Sequence, residues 1–288
     1  MNKKINYIGI IIGVLMMTSS SSLKNVYLSE IKTDIEKHSN FPTETITEKD
    51  IATLPIPVQR YFRYCGYIGK VKMINAKIDL ENVLFKRAPN NKWMRLNCYQ
   101  YNSVSAPTRI VYLKNNILGV FPFEARDKCQ NGKGNMLIKL LKVFTVVDAK
   151  GVEMDKSALV TVLSETFIIP TYALQEYIEW KAVDNNNAIA TLTYNDVKVS
   201  GTFKFNDNGE MISFYTDDRY SAEKDGTYKK IPWSIVVENY KEKDGIKFPS
   251  EIKVIWHNES SDFEYFKGTI SNIEYNVVNS CTNAQQYV

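Results

Sequence analysis

Two arginines lie three residues apart in the stretch LPIPVQRYFRYCG, residues 54–66, and they are the first candidates for chemistry. Arg60 and Arg63 would share one side of a helix, because residues three apart are neighbours on a helical surface. Two guanidinium groups held in this way can bind one anion. Two interpretations remain open: the anion is a carboxylate of the protein itself, or it is a ligand headgroup. Tyr61 and Tyr64 are candidates for the same site.

Carboxylates are the next candidates, since paired acids can hydrolyse glycosides when they are held roughly 5–9.5 Å apart. Glu124 and Asp127 flank an arginine, and a second group comprises Asp148, Glu153 and Asp155. A helix cap and ordinary turn residues are the simpler explanation of the second group. Spacing along the chain does not give the distances between these acids.

Nucleophile and metal chemistry have little support in this sequence. It has only two histidines, His38 and His257, and it lacks HExxH, GxSxG and glycine-rich phosphate-loop motifs. His257 is interpreted as a solvated side chain, or else as a base oriented by Glu259 or Asp262. The four cysteines are far apart, so one disulfide is possible but no disulfide framework is predicted. We therefore predict no metal site and no cofactor.

Large aromatic residues complete the set of candidates. The four tryptophans either line a cavity or fill a core, and both interpretations remain open. Arg219 lies two residues after Asp217 on a predicted strand, where the two residues form an ion pair or anchor a loop, or else Arg219 contacts a ligand. The candidate ligand-binding residues are Arg60, Tyr61, Arg63, Tyr64, Trp93, Trp180, Arg219, Trp233 and Trp256.

The stretch that carries Arg60 is itself predicted to be a short amphipathic helix. Pro57 suits the first helical position, and Gly66 suits a left-handed stop. The predicted apolar face comprises Val58, Tyr61, Phe62 and Cys65. Further helices are predicted over 24–39 and 154–167, with a capping box that begins at Thr47.

From Val71 onward the hydrophobic period changes from that of a helix to that of a strand. Residues 246–256 place apolar side chains on one face and charged ones on the other, and residues 134–147 are predicted to be one strand. Such alternation indicates an antiparallel sheet with one buried face. Because few helices are available to cover it, we predict a mainly β (α+β) fold. It is a single strongly curved antiparallel sheet, a half-barrel, with a few helices covering the concave face.

The N-terminus indicates export. MNKK precedes an uncharged, mostly apolar run at residues 5–17, and Ser20 and Ser22 have the spacing that a signal peptidase accepts. The run is short for a membrane-spanning helix, so residues 1–23 are a signal peptide or an N-terminal membrane anchor. Residues 24–288 are predicted to form one domain. The expected location is extracytoplasmic: periplasmic, secreted, or anchored to the cytoplasmic membrane. A net charge of +4 without a basic stripe argues against nucleic-acid binding.

Several segments occur together in an order typical of one family: LPIPVQRYFRYCG, FKFNDNGEMISFYTDDRY, IPW and YKEKDGIKFPSEIKVIW. Over roughly residues 45–275 the chain resembles a bacterial domain of unknown function with LPxPVxRY and PW motifs. It departs from the pattern at Asn131, where an aspartate is expected. The resemblance implies a fold similar to the periplasmic lipoprotein-carrier class, a curved sheet whose mouth is plugged by helices. It implies no catalytic residues.

The leading hypothesis is an exported, non-enzymatic protein that binds a lipid or another apolar ligand between the sheet and its helical plug. The alternatives are a carboxylate-dependent hydrolase of envelope glycans or lipids, and a structural or interaction module with a filled core. A continuous apolar groove favours the first hypothesis, a cleft with two facing acids favours the second, and a solid core favours the third.

Overall fold

The computed structural model describes residues 22–38, 42–117, 119–223 and 226–278. Most of the predicted leader therefore lies outside the described residues, and the signal stays a prediction. Leu23, the last residue assigned to that leader, is buried and begins the first helix. Among the described helices, none is long and apolar enough to cross a membrane.

Helices in the described part of the chain begin where the sequence supplies caps. The hydroxyl of Ser22 accepts a hydrogen bond from the N–H of Lys24, and Thr47 and Asp50 form the predicted capping box. Two 3-10 helices, Glu165–Phe167 and Pro170–Leu174, extend the last α-helix. The α-helices are α1 (Leu23–Lys37), α2 (Glu48–Ile51), α3 (Ile56–Tyr64) and α4 (Val152–Ser164).

Strands make up most of the remaining structure. In chain order they are β1 (Asn75–Phe85), β2 (Met94–Ser103), β3 (Thr108–Ile117), β4 (Phe121–Gln130), β5 (Lys133–Leu140), β6 (Phe144–Ala149), β7 (Ile178–Ala182), β8 (Asn187–Tyr194), β9 (Val197–Phe205), β10 (Met211–Thr216), β11 (Tyr220–Ala222), β12 (Tyr228–Lys230), β13 (Trp233–Lys243), β14 (Ile246–His257) and β15 (Asp262–Tyr275). The single strand predicted over 134–147 is wrong. Leu141 and Lys142 adopt positive φ and turn the chain between β5 and β6.

One antiparallel sheet of thirteen strands dominates the described residues, in the order β6-β5-β4-β3-β2-β1-β15-β14-β13-β10-β9-β8-β7. The predicted fold class is confirmed. The sheet is not closed, and β6 and β7 are its free edges. Helix α4 contacts β4 and β5 in one arm and β8 and β9 in the other, so the sheet must curve around it. Gly134 allows this contact, because a Cβ there would lie 2.3 Å from the carbonyl oxygen of Met154.

The prediction that the helices cover the concave face holds for α3 and α4, whereas α1 packs on the convex face of β2–β4. Its buried residues Leu23, Tyr27 and Ile31 contact outward-facing side chains that include Ile110 and Tyr112. The reason is that these strands carry apolar residues on both faces. The sheet therefore needs cover on its outer side as well.

Helix α3 places its predicted apolar face in the core. Val58, Tyr61, Phe62 and Cys65 are all at most 3% exposed. The ring of Phe62 packs edge-on against Tyr67 at a centroid distance of 5.8 Å.

We expect Phe62→Ala to lower the free energy of unfolding by about 3–5 kcal/mol, because it removes a fully buried ring and leaves a cavity. The measurement is urea denaturation followed by circular dichroism. Arg63→Ala on the same helix is the matched control. Its ion pair with Glu48 is exposed, so the urea midpoint should hardly move. Equal midpoints for the two variants would contradict the packing of α3.

Candidate functional site

A cavity of about 240 Å³ lies between the concave face of the sheet and the C-terminal end of α4. Strands β1–β5 and β13–β15 form its walls, and Phe167 and Ile168 close it from the helical side. Twenty of its twenty-six lining residues are apolar or aromatic. The six polar ones are Gln100, Arg109, Asp127, Thr161, Glu165 and Arg219.

The apolar wall follows from the two-residue period of the strands. On β3 and β4 the residues Val111, Leu113, Phe123 and Ala125 line the cavity. The intervening Tyr112 faces the opposite side and packs under α1. Pairing of the strands aligns these residues in rows across β2–β5. One apolar row contains Cys98, Leu113, Ala125 and Ile138.

Charged groups occupy one end of this wall. The Nε of Arg109 donates to Glu165 Oε1 at 2.8 Å, and its Nη1 donates to Asp127 Oδ2 at 2.7 Å. Gln100 and Asn102 both donate to Glu165 Oε2, at 2.9 Å and 2.8 Å. Burial alone would lower the pKa of Arg109, but Glu165 and Asp127 together raise it above its ordinary value. The three charged groups thus form a network that ties the end of α4 to the sheet.

Arg219 lines the cavity at a different place. Its Nη1 donates to the carbonyl oxygen of Ser157 at 2.7 Å and to Thr161 Oγ1 at 2.5 Å. The guanidinium carbon lies 4.3 Å from the ring centroid of Trp233 and 5.6 Å from that of Trp256. Within the described residues, no carboxylate lies within 4.0 Å of this cation. Arg219 is therefore held by a helix and two indole rings, with no acid beside it.

The nine candidates from the sequence divide into separate groups. Arg219 and Trp233 line the cavity, and Trp256, which does not line it, has its ring beside the guanidinium group of Arg219. Tyr61 and Trp180 line a much smaller hollow of about 10 Å³ under α3. Trp93 lies at the β1–β2 hairpin, with lysine ammonium groups 4.5 Å and 4.8 Å from its ring centroid.

The remaining three candidates lie on the outer side of α3 and do not line the cavity. Arg60 donates to the carbonyl oxygen of Asn185 and to the side chain of Asn186, Arg63 pairs with Glu48, and Tyr64 donates to Glu210. The two arginines therefore do not converge on one anion, because each has its own partner within the protein.

The two acids Glu124 and Asp127 do not form a pair in the structure. They lie on opposite faces of β4, with Glu124 under α1, where it accepts hydrogen bonds from Tyr112 Oη and the N–H of Leu23. Asp155 accepts from Lys133 and from the N–H of Gly134, as a structural anchor. No group of three or more possible metal ligands occurs among the described residues.

A serine, a histidine and an aspartate meet on the convex face. His257 lies 2.9 Å from Ser234 Oγ through Nε2 and 2.8 Å from Asp262 Oδ1 through Nδ1. This is the connectivity of a hydrolase triad. Ser234 sits between Tyr215 and Ile255 in the interior of the sheet, where backbone N–H groups serve the ladder.

None of the three residues lines any of the three cavities in the described ranges, and the Ser234 side chain is buried inside the sheet. The constellation therefore resembles a cross-strand hydrogen-bond network more than a catalytic site. Asp262 was a predicted partner of His257, but Ser234 was not predicted. Arg109 and Glu165 were not predicted either, although a charged residue on the apolar face of a predicted strand, such as Arg109, was a usable signal.

Structural comparisons give low similarity. Over 80% of this chain and 99% of the other, a LolA superfamily protein from Nitrosomonas europaea superposes with a TM-score of 0.40 at 10% identity. A DUF1329 family protein from Desulfovibrio piger gives 0.39 at 10% identity, covering 78% of this chain and 95% of that one. A search of curated proteins found no match. A model of a family of unknown function, DUF6544, matches residues 44–268.

We expect the thiols of Cys65, Cys98 and Cys129 to resist iodoacetamide at pH 9 in the native protein. Burial raises the pKa of Cys98 and of Cys129 to about 12, and it also raises the pKa of Cys65. At pH 9 a thiol of pKa about 12 is thiolate in roughly one molecule in a thousand. Peptide mass spectrometry should find labelling only after addition of urea. A Val183→Cys variant, whose cysteine is exposed, should label at once, and equal rates at Cys98 would contradict the burial.

A fluorophosphonate probe should leave Ser234 unmodified, because this side chain is buried inside the sheet and lines none of the cavities described above. Intact-protein mass spectrometry of the wild type and of Ser234→Ala should give the same result, with no adduct on either. An adduct that disappears in Ser234→Ala would show that the triad is a working nucleophile.

Proposed function

We propose that this protein, which belongs to the family of unknown function DUF6544, binds one apolar chain of a lipid or a similar amphiphile in the cavity beside α4. The observation that carries the proposal is the continuous apolar wall of a space of about 240 Å³ inside an otherwise packed sheet. Protein interiors are normally packed as densely as crystals of small organic molecules. An apolar space of this size inside the protein therefore favours a bound ligand.

The size of the cavity limits the ligand. An apolar cavity of about 150 Å³ holds one benzene molecule, and pockets for drug-sized ligands measure roughly 300–1,000 Å³. A space of about 240 Å³ lies between these cases. It suits a single acyl chain or part of one, and it is too small for the several chains of a whole phospholipid or lipoprotein.

Arg219 is the residue that we assign to the polar end of the ligand, with Trp233 and Trp256 as the aromatic surface beneath it. A guanidinium group without a neighbouring carboxylate can pair with a carboxylate or phosphate of the ligand. Arg109 is a poorer candidate, since Asp127 and Glu165 already occupy its donors.

We propose binding rather than catalysis. The two acids that face the cavity, Asp127 and Glu165, share a single arginine. A hydrolase of the kind considered above needs one acid to donate a proton and the other to attack or activate water. Two carboxylates bonded to one guanidinium are arranged to hold structure together.

The site of action that we propose is extracytoplasmic. The support is the basic MNKK, the apolar run at residues 5–17 and the small residues Ser20 and Ser22. We also propose that residues 1–23 are the leader or anchor and that the rest of the chain is one domain.

Binding of a dansylated fatty acid to delipidated protein tests the proposed function. We expect a saturable fluorescence increase at one site per chain, and a loss of at least tenfold in affinity for Ala125→Leu, which fills the cavity. Ala222→Leu, at an exposed position of β11, is the control and should bind as the wild type does. Mass spectrometry of organic extracts from freshly purified protein should identify the natural ligand class.

Unchanged binding by Ala125→Leu would place the probe outside the cavity and overturn the proposal. Absence of both probe binding and extractable lipid would favour an interaction module. Circular dichroism and thermal unfolding of each variant separate a filled cavity from a damaged fold.

A further inference from the structure

Arg219 lines the cavity with part of its guanidinium group unused. Its Nη1 makes both of its hydrogen bonds, to the carbonyl oxygen of Ser157 and to Thr161 Oγ1. Its Nε is buried and has no hydrogen-bond partner among the described residues. Its Nη2 donates to no group in the described ranges either. Because buried N–H groups in folded proteins are nearly always paired, this arginine has room for an acceptor that the described chain does not supply.

The two unused nitrogens lie on one edge of the guanidinium plane, where their N–H groups point in parallel. Such an edge matches the two oxygens of one carboxylate. Arg63 uses the same edge elsewhere in this protein, with Nε 3.0 Å from Glu48 Oε1 and Nη2 2.7 Å from Glu48 Oε2. At Arg219 the equivalent edge is open, and the residue belongs to the cavity wall.

Tyr265 offers a third donor beside the same indole ring. Its Oη accepts a hydrogen bond from Trp233 Nε1 at 3.1 Å, whereas its own hydroxyl hydrogen has no acceptor among the described residues. The guanidinium carbon of Arg219 lies over the face of that indole, 4.3 Å from the ring centroid. Tyr265 lines the cavity as well, so a phenol and a guanidinium group flank one ring in the same wall.

The charges around the cavity favour an anion with a single charge. Arg109 contributes one positive charge and Asp127 and Glu165 contribute two negative ones, so their network has a net charge of −1. Arg219 adds +1, which one carboxylate neutralises. A phosphate monoester carries about −1.5 to −2 at pH 7, and its second charge would stay unpaired in an apolar cavity. A phosphodiester has one charge but an organic group on each side, for which a space of about 240 Å³ leaves little room.

We propose that the ligand of the cavity is a free carboxylic acid with one alkyl chain, and that Arg219 and Tyr265 bind its carboxylate. The Nε and Nη2 of Arg219 donate to the two oxygens, and the hydroxyl of Tyr265 donates to one of them. This inference rests on the proposed function, because it assigns the polar end of the same ligand. It narrows the ligand class from amphiphiles in general to fatty acids, and it excludes lipids whose acyl chains are esterified.

Three ligands with the same chain give the test: decanoic acid, 1-decanol and decyl phosphate. Each is titrated into the delipidated full-length protein by isothermal calorimetry at pH 7.5. Three variants are compared with the wild type. Arg219→Met removes the guanidinium group but keeps an unbranched side chain, and Tyr265→Phe removes one hydroxyl. The matched control is Arg63→Met, which removes an exposed arginine outside the cavity.

We expect the wild type to bind one decanoate per chain at least tenfold more tightly than decanol or decyl phosphate. Arg219→Met should weaken decanoate binding at least tenfold and leave decanol binding within twofold, because the apolar wall is unchanged. Tyr265→Phe should weaken decanoate binding several-fold, again with decanol unaffected. Arg63→Met should bind all three ligands as the wild type does.

Equal binding of decanoate and decanol by the wild type, both lost in Ala125→Leu, would overturn this inference and leave the proposed function standing. Tighter binding of decyl phosphate would also overturn it, in favour of a phosphate site. If Arg219→Met lost decanol as well as decanoate, Arg219 would be a support of the cavity wall and not a carboxylate ligand. Absence of binding by all three ligands would overturn the inference together with the proposed function.

Discussion

The ionic contact between Arg109 and two carboxylates is the constraint on which the cavity depends. Arg109 is on β3, Asp127 is on β4, and Glu165 begins the 3-10 turn that follows α4. Burying such charges costs free energy, which the mutual attraction offsets only when the geometry is good and the other polar atoms are satisfied. Here Gln100 and Asn102 satisfy the second oxygen of Glu165. The contact therefore fixes the distance between the C-terminal end of α4 and strands β3 and β4.

The concave sides of the two arms of the curved sheet are filled to different extents. Around β9 and β10, the ring of Phe203 stacks on Phe205 and meets Phe214 edge-on, and with α3 these rings leave a hollow of only about 10 Å³. In the other arm the concave side of β1–β5 keeps a space of about 240 Å³ beside the end of α4. The same sheet thus has one packed half and one half with room for a ligand.

Alternation along the strands was enough to predict the sheet, because a two-residue period is a local property of the sequence. The apolar face of α3 was equally local, and the structure confirms Val58, Tyr61, Phe62 and Cys65 on it. The turn at Leu141 was missed for a related reason. The run LIKLLKVF contains no glycine, proline or asparagine, so nothing in it indicated that the chain reverses.

The candidate site was harder to predict, because it is assembled from residues far apart in the chain. Arg109 and Glu165 are 56 positions apart, and only the fold brings them together. Arg60 and Arg63 on α3 were candidates for a shared anion site because they are close in sequence. In the structure each of them has its own partner within the protein. The position of α1 was missed because tyrosines on β2 and β3 suit either face of a strand.

The arrangement of charge in the cavity also decides from which side an apolar chain can enter. Across β2, β3 and β4, the row with Gln100 and Asp127 lies next to Arg109, whereas the following row, from Cys98 to Ile138, is apolar. Beyond that row the wall continues along β4 and β5 through Phe123 and Leu140, which are paired. Asn115 also pairs with Phe123, so the apolar path lies on the β4–β5 side. A chain that enters along this path reaches the ion-pair network last, whereas a chain that enters from the opposite end meets the network first. Entry beside Phe123 therefore costs less free energy.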